Sequence, residues 1–196
     1  MIALLCGRLE SLDPHLALFF LTHYVSVPRL TYLLRSAPMF KEGETLERID
    51  EIVRATLTKA VNVDVTGPAW TQAALPTRMG GLGIRRVSDL ARPCFLASMS
   101  SSASLISRIC PSLGDIEELH SWCLARDEFL RMASVPNQPE GEATSSQKAW
   151  SDLAAESTKE RLLATAHKGA PPRCLLRPHS RLVTGSPGIK PRPSPG

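Results

Sequence analysis

The sequence has few aromatic residues, no long apolar run and no paired-cysteine motif. Phe, Trp and Tyr make up 5% of the 196 residues, so the core must be mainly aliphatic. No stretch approaches the roughly 18 apolar residues of a membrane span, which predicts neither secretion nor a membrane partner. The five cysteines are odd in number and widely spaced. We interpret them as reduced thiols of an intracellular protein, with nuclear and cytoplasmic locations both open.

Motifs that would indicate an enzyme are also lacking. The sequence contains no Gly-Lys-Ser/Thr phosphate loop, no dinucleotide fingerprint and no Gly-x-Ser-x-Gly elbow. Cys94, Cys110, His120 and Cys123 lack a zinc-ligand spacing, since only His120 and Cys123 are close enough to share a helix face. We therefore predict no metal, no cofactor and no catalytic residue.

Positive charge is concentrated at the C-terminus. The formal net charge is +4, but residues 169–196 hold five of the 23 basic residues and none of the 19 acidic ones. Residues 1–168 therefore carry 18 basic against 19 acidic groups. A nucleic-acid interface spread over the whole surface is excluded on this ground, and only a local basic patch could serve.

Apolar spacing predicts an all-α fold. The composition, 43% hydrophobic and 21% charged, is typical of a globular chain. We expect an irregular multi-helix bundle with a Gly-rich turn over residues 1–133, a linker over 134–146 and one more helix over 147–168. Residues 169–196 hold seven of the 16 prolines and are predicted to form a disordered basic tail.

Several helix boundaries and buried faces can be predicted. Asp13-Pro14 is a helix start, and Pro28 can open the next helix. We further expect Ser88 to cap a helix, Ser98–Ser104 to be a loop or weak helix start, and a helix from Asp115 to about Ala133. The buried face of the first of these helices is predicted as Leu16, Phe19, Phe20, His23, Tyr24 and Val27. The three tryptophans, Trp70, Trp122 and Trp150, are interpreted as core residues.

A glycine-rich turn lies among three arginines. Gly80, Gly81 and Gly83 need a special backbone conformation or a close approach, and Arg78, Arg85 and Arg86 flank them. Free amides and guanidinium groups would together suit a phosphate oxygen. The alternative is a packing turn between helices, with solvated arginines.

Arg29 and Arg35 flank the apolar stripe of Leu30, Leu33 and Leu34 in the helix after Pro28. They could contact a nucleic-acid backbone without reading its sequence. The alternative is an exposed polar face with no binding role.

Two stretches carry a resemblance to a known family. Residues 71–98, TQAALPTRMGGLGIRRVSDLARPCFLAS, resemble the Gln-Ala-x-Leu-Pro-x-Arg-x-Gly-Gly-Leu-Gly-Ile-Arg block of non-LTR retrotransposon reverse transcriptases. Residues 21–38, LTHYVSVPRLTYLLRSAP, resemble the preceding helix pair of those proteins. More weakly, residues 161–166 and 177–180 resemble a later linker. The resemblance implies the thumb and connection region, which follows the polymerase palm.

The same resemblance implies that catalysis is lost. In that family adjacent aspartates of the palm hold two divalent metals, and this sequence has no adjacent aspartates. The palm would precede residue 1, and the sequence after Ser180 departs from the family pattern. We expect a non-enzymatic fragment that at most binds an RNA or DNA backbone weakly. The alternatives are a helical module that docks on the missing palm or another helical protein, and a relic without selected function.

Overall fold

Most of the described chain is helical. The computed structural model describes residues 1–168 and residues 177–178. In these residues the α-helices are α1 Ile2–Leu9, α2 Pro14–Phe20, α3 Val27–Ser36, α4 Gly43–Val61, α5 Gly67–Ala74, α6 Val87–Ile109, α7 His120–Ala133 and α8 Gln147–Lys168. The all-α prediction is confirmed.

One very short strand pair is the exception to the helical structure. Strand β1, Val63–Asp64, pairs antiparallel with strand β2, Arg177–Pro178. The predicted disorder of residues 169–196 otherwise lies outside the residues that the structure describes.

Local sequence signals set the first helix starts as predicted. The side chain of Asp13 accepts a hydrogen bond of 3.0 Å from the amide of His15, so it caps α2. Pro28 lies in the first turn of α3 and Pro68 in the first turn of α5. Proline is tolerated there because the first helical amides have no partner inside the helix.

The first core surrounds α6, which packs against α3, α4, α7 and α8. Trp122 and Trp150 are fully buried in it, and the ring of Phe129 meets that of Trp150 edge-on at 5.1 Å. Trp150 also donates a 2.8 Å hydrogen bond to the carbonyl of Thr144. Helix α8 therefore shares a core with α6 and α7. The segment predicted as a linker contains a 3-10 turn, Gly141–Ser145, that packs on α6.

The second core lies among α1, α2, α4 and α5. Its buried residues are Ile2, Cys6, Leu9, Ala17, Leu21, Val25, Val53, Leu57, Val65, Ala69, Trp70, Ala73 and Ile84. Most of these side chains are aliphatic, as the low aromatic content requires. Trp70 belongs to this cluster, so all three tryptophans are buried as predicted.

The buried face predicted for the first helices is wrong. The exposed fractions are 52% for Leu16, 48% for Phe19 and 54% for Tyr24, whereas Ala17, Leu21 and Val25 are buried. The chain between Leu16 and Val27 is apolar on more than one side, so helical spacing alone could not select the stripe. The small side chain of Ala17 permits close packing, and a π-helical turn, Leu21–Val25, continues the buried stripe.

The predicted boundaries of α6 and α7 also differ from the structure. Helix α6 begins at Val87, and Ser88 does not cap it. The cluster Ser98–Ser104 lies inside α6, where Ser101 donates to the carbonyl of Ser98 at 2.9 Å. Such back-bonding lets serine occupy helix interiors. A 3-10 turn, Ile116–Glu118, follows Asp115, so α7 begins later than predicted.

Candidate nucleic-acid interface

The glycine turn is held by close backbone packing. Gly80 and Gly83 have φ angles of 87° and 75°, in the region that favours glycine. A Cβ atom on Gly81 would collide with the carbonyl oxygen of Leu75. The turn therefore packs directly on the chain that follows α5.

The amides of this turn already have partners. The amide of Gly80 donates to the carbonyl of Thr77 at 3.0 Å, and that of Gly81 donates to the carbonyl of Pro76 at 3.2 Å. The amide of Gly83 donates to the carbonyl of Leu75 at 2.9 Å. A phosphate-binding nest needs amides that point at the ligand. In this conformation the three glycines are not free to bind a phosphate, and their role is to fix the path of the chain between the arginines.

Two of the flanking arginines are paired with carboxylates. Arg78 forms an ion pair with Asp152 of α8. Arg86 makes two hydrogen bonds of 2.7 Å to the two carboxylate oxygens of Asp89. This bidentate contact raises the pKa of Arg86. The charge of each is therefore largely balanced by its partner.

Arg85 is different from its neighbours. It is half-buried and forms no ion pair with any residue of the described part of the chain. Burial lowers the pKa of Arg85 and the carboxylates of Asp152 and Asp89 oppose that shift. The side chain lines two separate cavities. Among the three arginines beside the turn, Arg85 is therefore the one best suited to bind an anion.

Arg29 and Arg35 lie on α3 with exposed side chains. Neither forms an ion pair within residues 1–168. Burial raises the pKa of the Cys94 thiol to about 11, and the charges of Arg35 and Arg85 oppose that shift.

The cysteines of the described part of the chain, Cys6, Cys94, Cys110 and Cys123, are free thiols. Cys94 is fully buried, Cys110 is exposed, and Cys123 donates to the carbonyl of Glu117 at 3.1 Å. A thiol whose pKa is raised by burial is a poor nucleophile near neutral pH. Within residues 1–168 no three metal-ligating side chains gather at one place.

Sequence reasoning missed an exposed aromatic cluster. The rings of Phe19 and His23 stack at 4.7 Å, and Phe20 and Tyr24 lie beside them. A hydrogen bond of 3.0 Å between His23 Nδ1 and the carbonyl of Phe19 fixes the imidazole. Phe19, His23 and Arg85 line one cavity of about 450 Å³. The helical spacing of these rings was the same signal that predicted their burial.

Comparisons with known proteins leave the family open. No family model matches the chain, and no curated protein or solved structure shows significant similarity to it. In the described residues no helix is both long and apolar enough to cross a membrane.

Proposed function

We propose that this chain is a non-catalytic relative of the reverse-transcriptase thumb and connection region that binds nucleic-acid backbones weakly and without sequence preference. Arg29, Arg35 and Arg85 make the contacts, and Arg78 and Arg86 lie beside them. The resemblance of residues 21–38 and 71–98 supports this proposal, since both groups of arginines belong to those stretches.

The single observation that carries the proposal is that the two arginines of α3 are exposed and unpaired within residues 1–168. Arg29 and Arg35 are exposed and have no carboxylate partner within residues 1–168, whereas Arg78 and Arg86 each have one. An exposed guanidinium without an internal partner can bind a phosphate without first breaking an ion pair. Binding that rests on backbone charge is independent of base sequence.

The small number of unpaired arginines predicts weak, salt-sensitive binding. Each phosphate contact contributes about −0.9 to the slope of log K against log salt for a duplex. Three such contacts give a slope of about −2 to −3. Because residues 1–168 have slightly more acidic than basic groups, no long-range attraction adds to these contacts.

The experiment is a fluorescence anisotropy titration at low salt with a labelled duplex. Reversing both α3 charges, Arg29→Glu with Arg35→Glu, should reduce the affinity at least ten-fold. The matched control is Arg108→Glu with Arg48→Glu, which changes the net charge equally at two other exposed arginines. Equal losses in both double variants would contradict a local interface.

A second candidate function is a helical protein-interaction module. The exposed cluster of Phe19, Phe20 and Tyr24 favours it, because aromatic side chains are enriched in protein interfaces. On this hypothesis the missing palm or another helical protein would cover the cluster. It predicts that nucleic-acid binding depends only on the C-terminal charges, so that deletion of residues 169–196 abolishes binding.

A further inference from the structure

A second cavity, of about 240 Å³, lies where α5, α6, α7 and α8 meet. We call it the α8 cavity because one face of that helix forms its wall. The face consists of Ser151, Ala154, Ala155 and Thr158, which are spaced as neighbours on one side of a helix, and Arg161 follows them. Opposite walls come from Leu75, Leu90, Phe129 and Met132.

The charged groups that line this cavity are mostly cationic. They are Arg85, Arg86, Arg92, Arg161 and one carboxylate, Asp89. Arg86 is neutralised by Asp89, and Arg92 donates two hydrogen bonds, of 3.0 and 2.8 Å, to Glu128. Two guanidinium groups, those of Arg85 and Arg161, remain without an ion pair in the described chain.

Arg161 is available for a ligand. Its guanidinium makes one hydrogen bond of 3.1 Å, to the hydroxyl of Thr158 on the preceding turn. A guanidinium has five donors in a planar fork, so most of them are unused there. Arg85 approaches the same cavity from the end of the glycine turn.

A buried hydroxyl without a partner is the second, independent sign of a ligand. Ser151 is 6% exposed, and its Oγ has no hydrogen-bond partner. Other helical hydroxyls, those of Thr22, Thr31 and Thr56, donate to carbonyls four residues earlier at 2.8 Å. Leaving a buried hydroxyl unsatisfied is unfavourable. Several buried side-chain oxygen and nitrogen atoms in residues 1–168 have no hydrogen-bond partner. Among the residues that carry them, Ser151 lines this cavity.

We propose that the α8 cavity binds a small organic phosphate monoester. Arg85 and Arg161 bind the phosphate oxygens, and Phe129 and Met132 contact the organic group. The Ser151 hydroxyl, which is buried in this rotamer, rotates about its Cα–Cβ bond to donate a further hydrogen bond. Guanidinium groups suit phosphate because their forked donors match its oxygens. The apolar walls would gain little from a bare inorganic ion, whereas an organic group can bury surface against them.

The volume is consistent with a ligand of this size. The cavity of about 240 Å³ is many times the roughly 10–15 Å³ of such volume that holds one water molecule. A phosphate carrying one small ring occupies comparable space. The site shares Arg85 with the proposed nucleic-acid interface, whereas Arg161 and Ser151 take no part in that interface.

The test is calorimetric titration of the full chain with phenyl phosphate, inorganic phosphate and phenol. Phenyl phosphate should bind most tightly, and phenol should bind at least ten-fold more weakly because it lacks the anion. Arg161→Gln and Ser151→Ala should weaken phenyl phosphate binding about ten-fold and about three-fold. The matched control is Lys159→Gln, which removes the same charge from an exposed position of α8 that does not line the cavity.

Three outcomes would overturn the proposal. They are no saturable binding of phenyl phosphate, equal binding of phenol, and equal affinity of the Arg161→Gln and Lys159→Gln variants. The Arg29→Glu and Arg35→Glu double variant should keep phenyl phosphate binding unchanged. Failure of the nucleic-acid proposal is thereby distinguished from failure of the phosphate proposal.

Discussion

The carboxylate of Asp50 in α4 accepts a hydrogen bond of 2.5 Å from the hydroxyl of Ser88 in α6. The same carboxylate accepts hydrogen bonds from the amides of Val87 and Ser88, at 2.7 and 3.1 Å. The first amides of a helix have no partner inside it. Asp50 supplies that partner from a different helix, so one side chain both caps α6 and fixes it against α4.

We expect Asp50→Ala to lower the free energy of unfolding by about 2–4 kcal/mol. The change leaves two buried amides and one hydroxyl without acceptors at the start of α6. Urea denaturation followed by circular dichroism measures the loss. The control is Glu47→Ala, an exposed position on α4, where we expect a change within about 0.5 kcal/mol. Similar losses at both positions would contradict the capping role.

Asp50 should also make stability depend on pH. Burial raises the pKa of Asp50 above 3.8, although the hydrogen bonds from Ser88 and Val87 oppose the shift. Between the unfolded and folded pKa values the folded chain binds more protons, so the free energy of unfolding decreases as pH rises through that window. Asp50→Asn removes this ionisation. Denaturation of both proteins from about pH 3.5 upward should show that the free energy of unfolding of the parent chain decreases relative to that of the Asp50→Asn variant as pH rises.

The sequence predicted the elements of this fold better than their contacts. The starts of α2 and α3 follow from Asp13 and Pro28. These are local signals, read within one helix turn. The capping of α6 by Asp50 could not be predicted in the same way, because the two partners are 37 positions apart.

At the candidate site, too, the sequence predicted the local arrangement of residues but not their long-range contacts. The sequence placed Arg78, Arg85 and Arg86 beside the glycine turn, but it could not show that Asp152 and Asp89 pair with two of them. Asp152 lies on a helix more than 70 positions away in the sequence. The α8 cavity likewise depends on four helices meeting, and no local pattern predicts that.

Gly81 should tolerate no side chain. Its Cβ position coincides with the backbone of Leu75, which cannot rotate away as a flexible side chain could. We expect Gly81→Ala to lower the free energy of unfolding by about 1–3 kcal/mol or more. Gly7 in α1 has open space around its Cβ position, so Gly7→Ala should stabilise by up to about 1 kcal/mol. Thermal denaturation of the two variants would show shifts of opposite sign. Two shifts of the same sign would contradict the packing of the turn on Leu75.

The exposed aromatic cluster gives a test of which face of the first helices is buried. Leu21 is 0% exposed and Phe19 is 48% exposed. Leu21→Ala should cost about 2–5 kcal/mol because it leaves a cavity in the second core. Phe19→Ala removes a larger side chain, but one that keeps about half of its surface in water, so it should cost less than about 1.5 kcal/mol. Urea denaturation of both variants provides the comparison. A greater loss for Phe19→Ala would show that this ring is covered in solution and would support the protein-interaction module over a free basic patch.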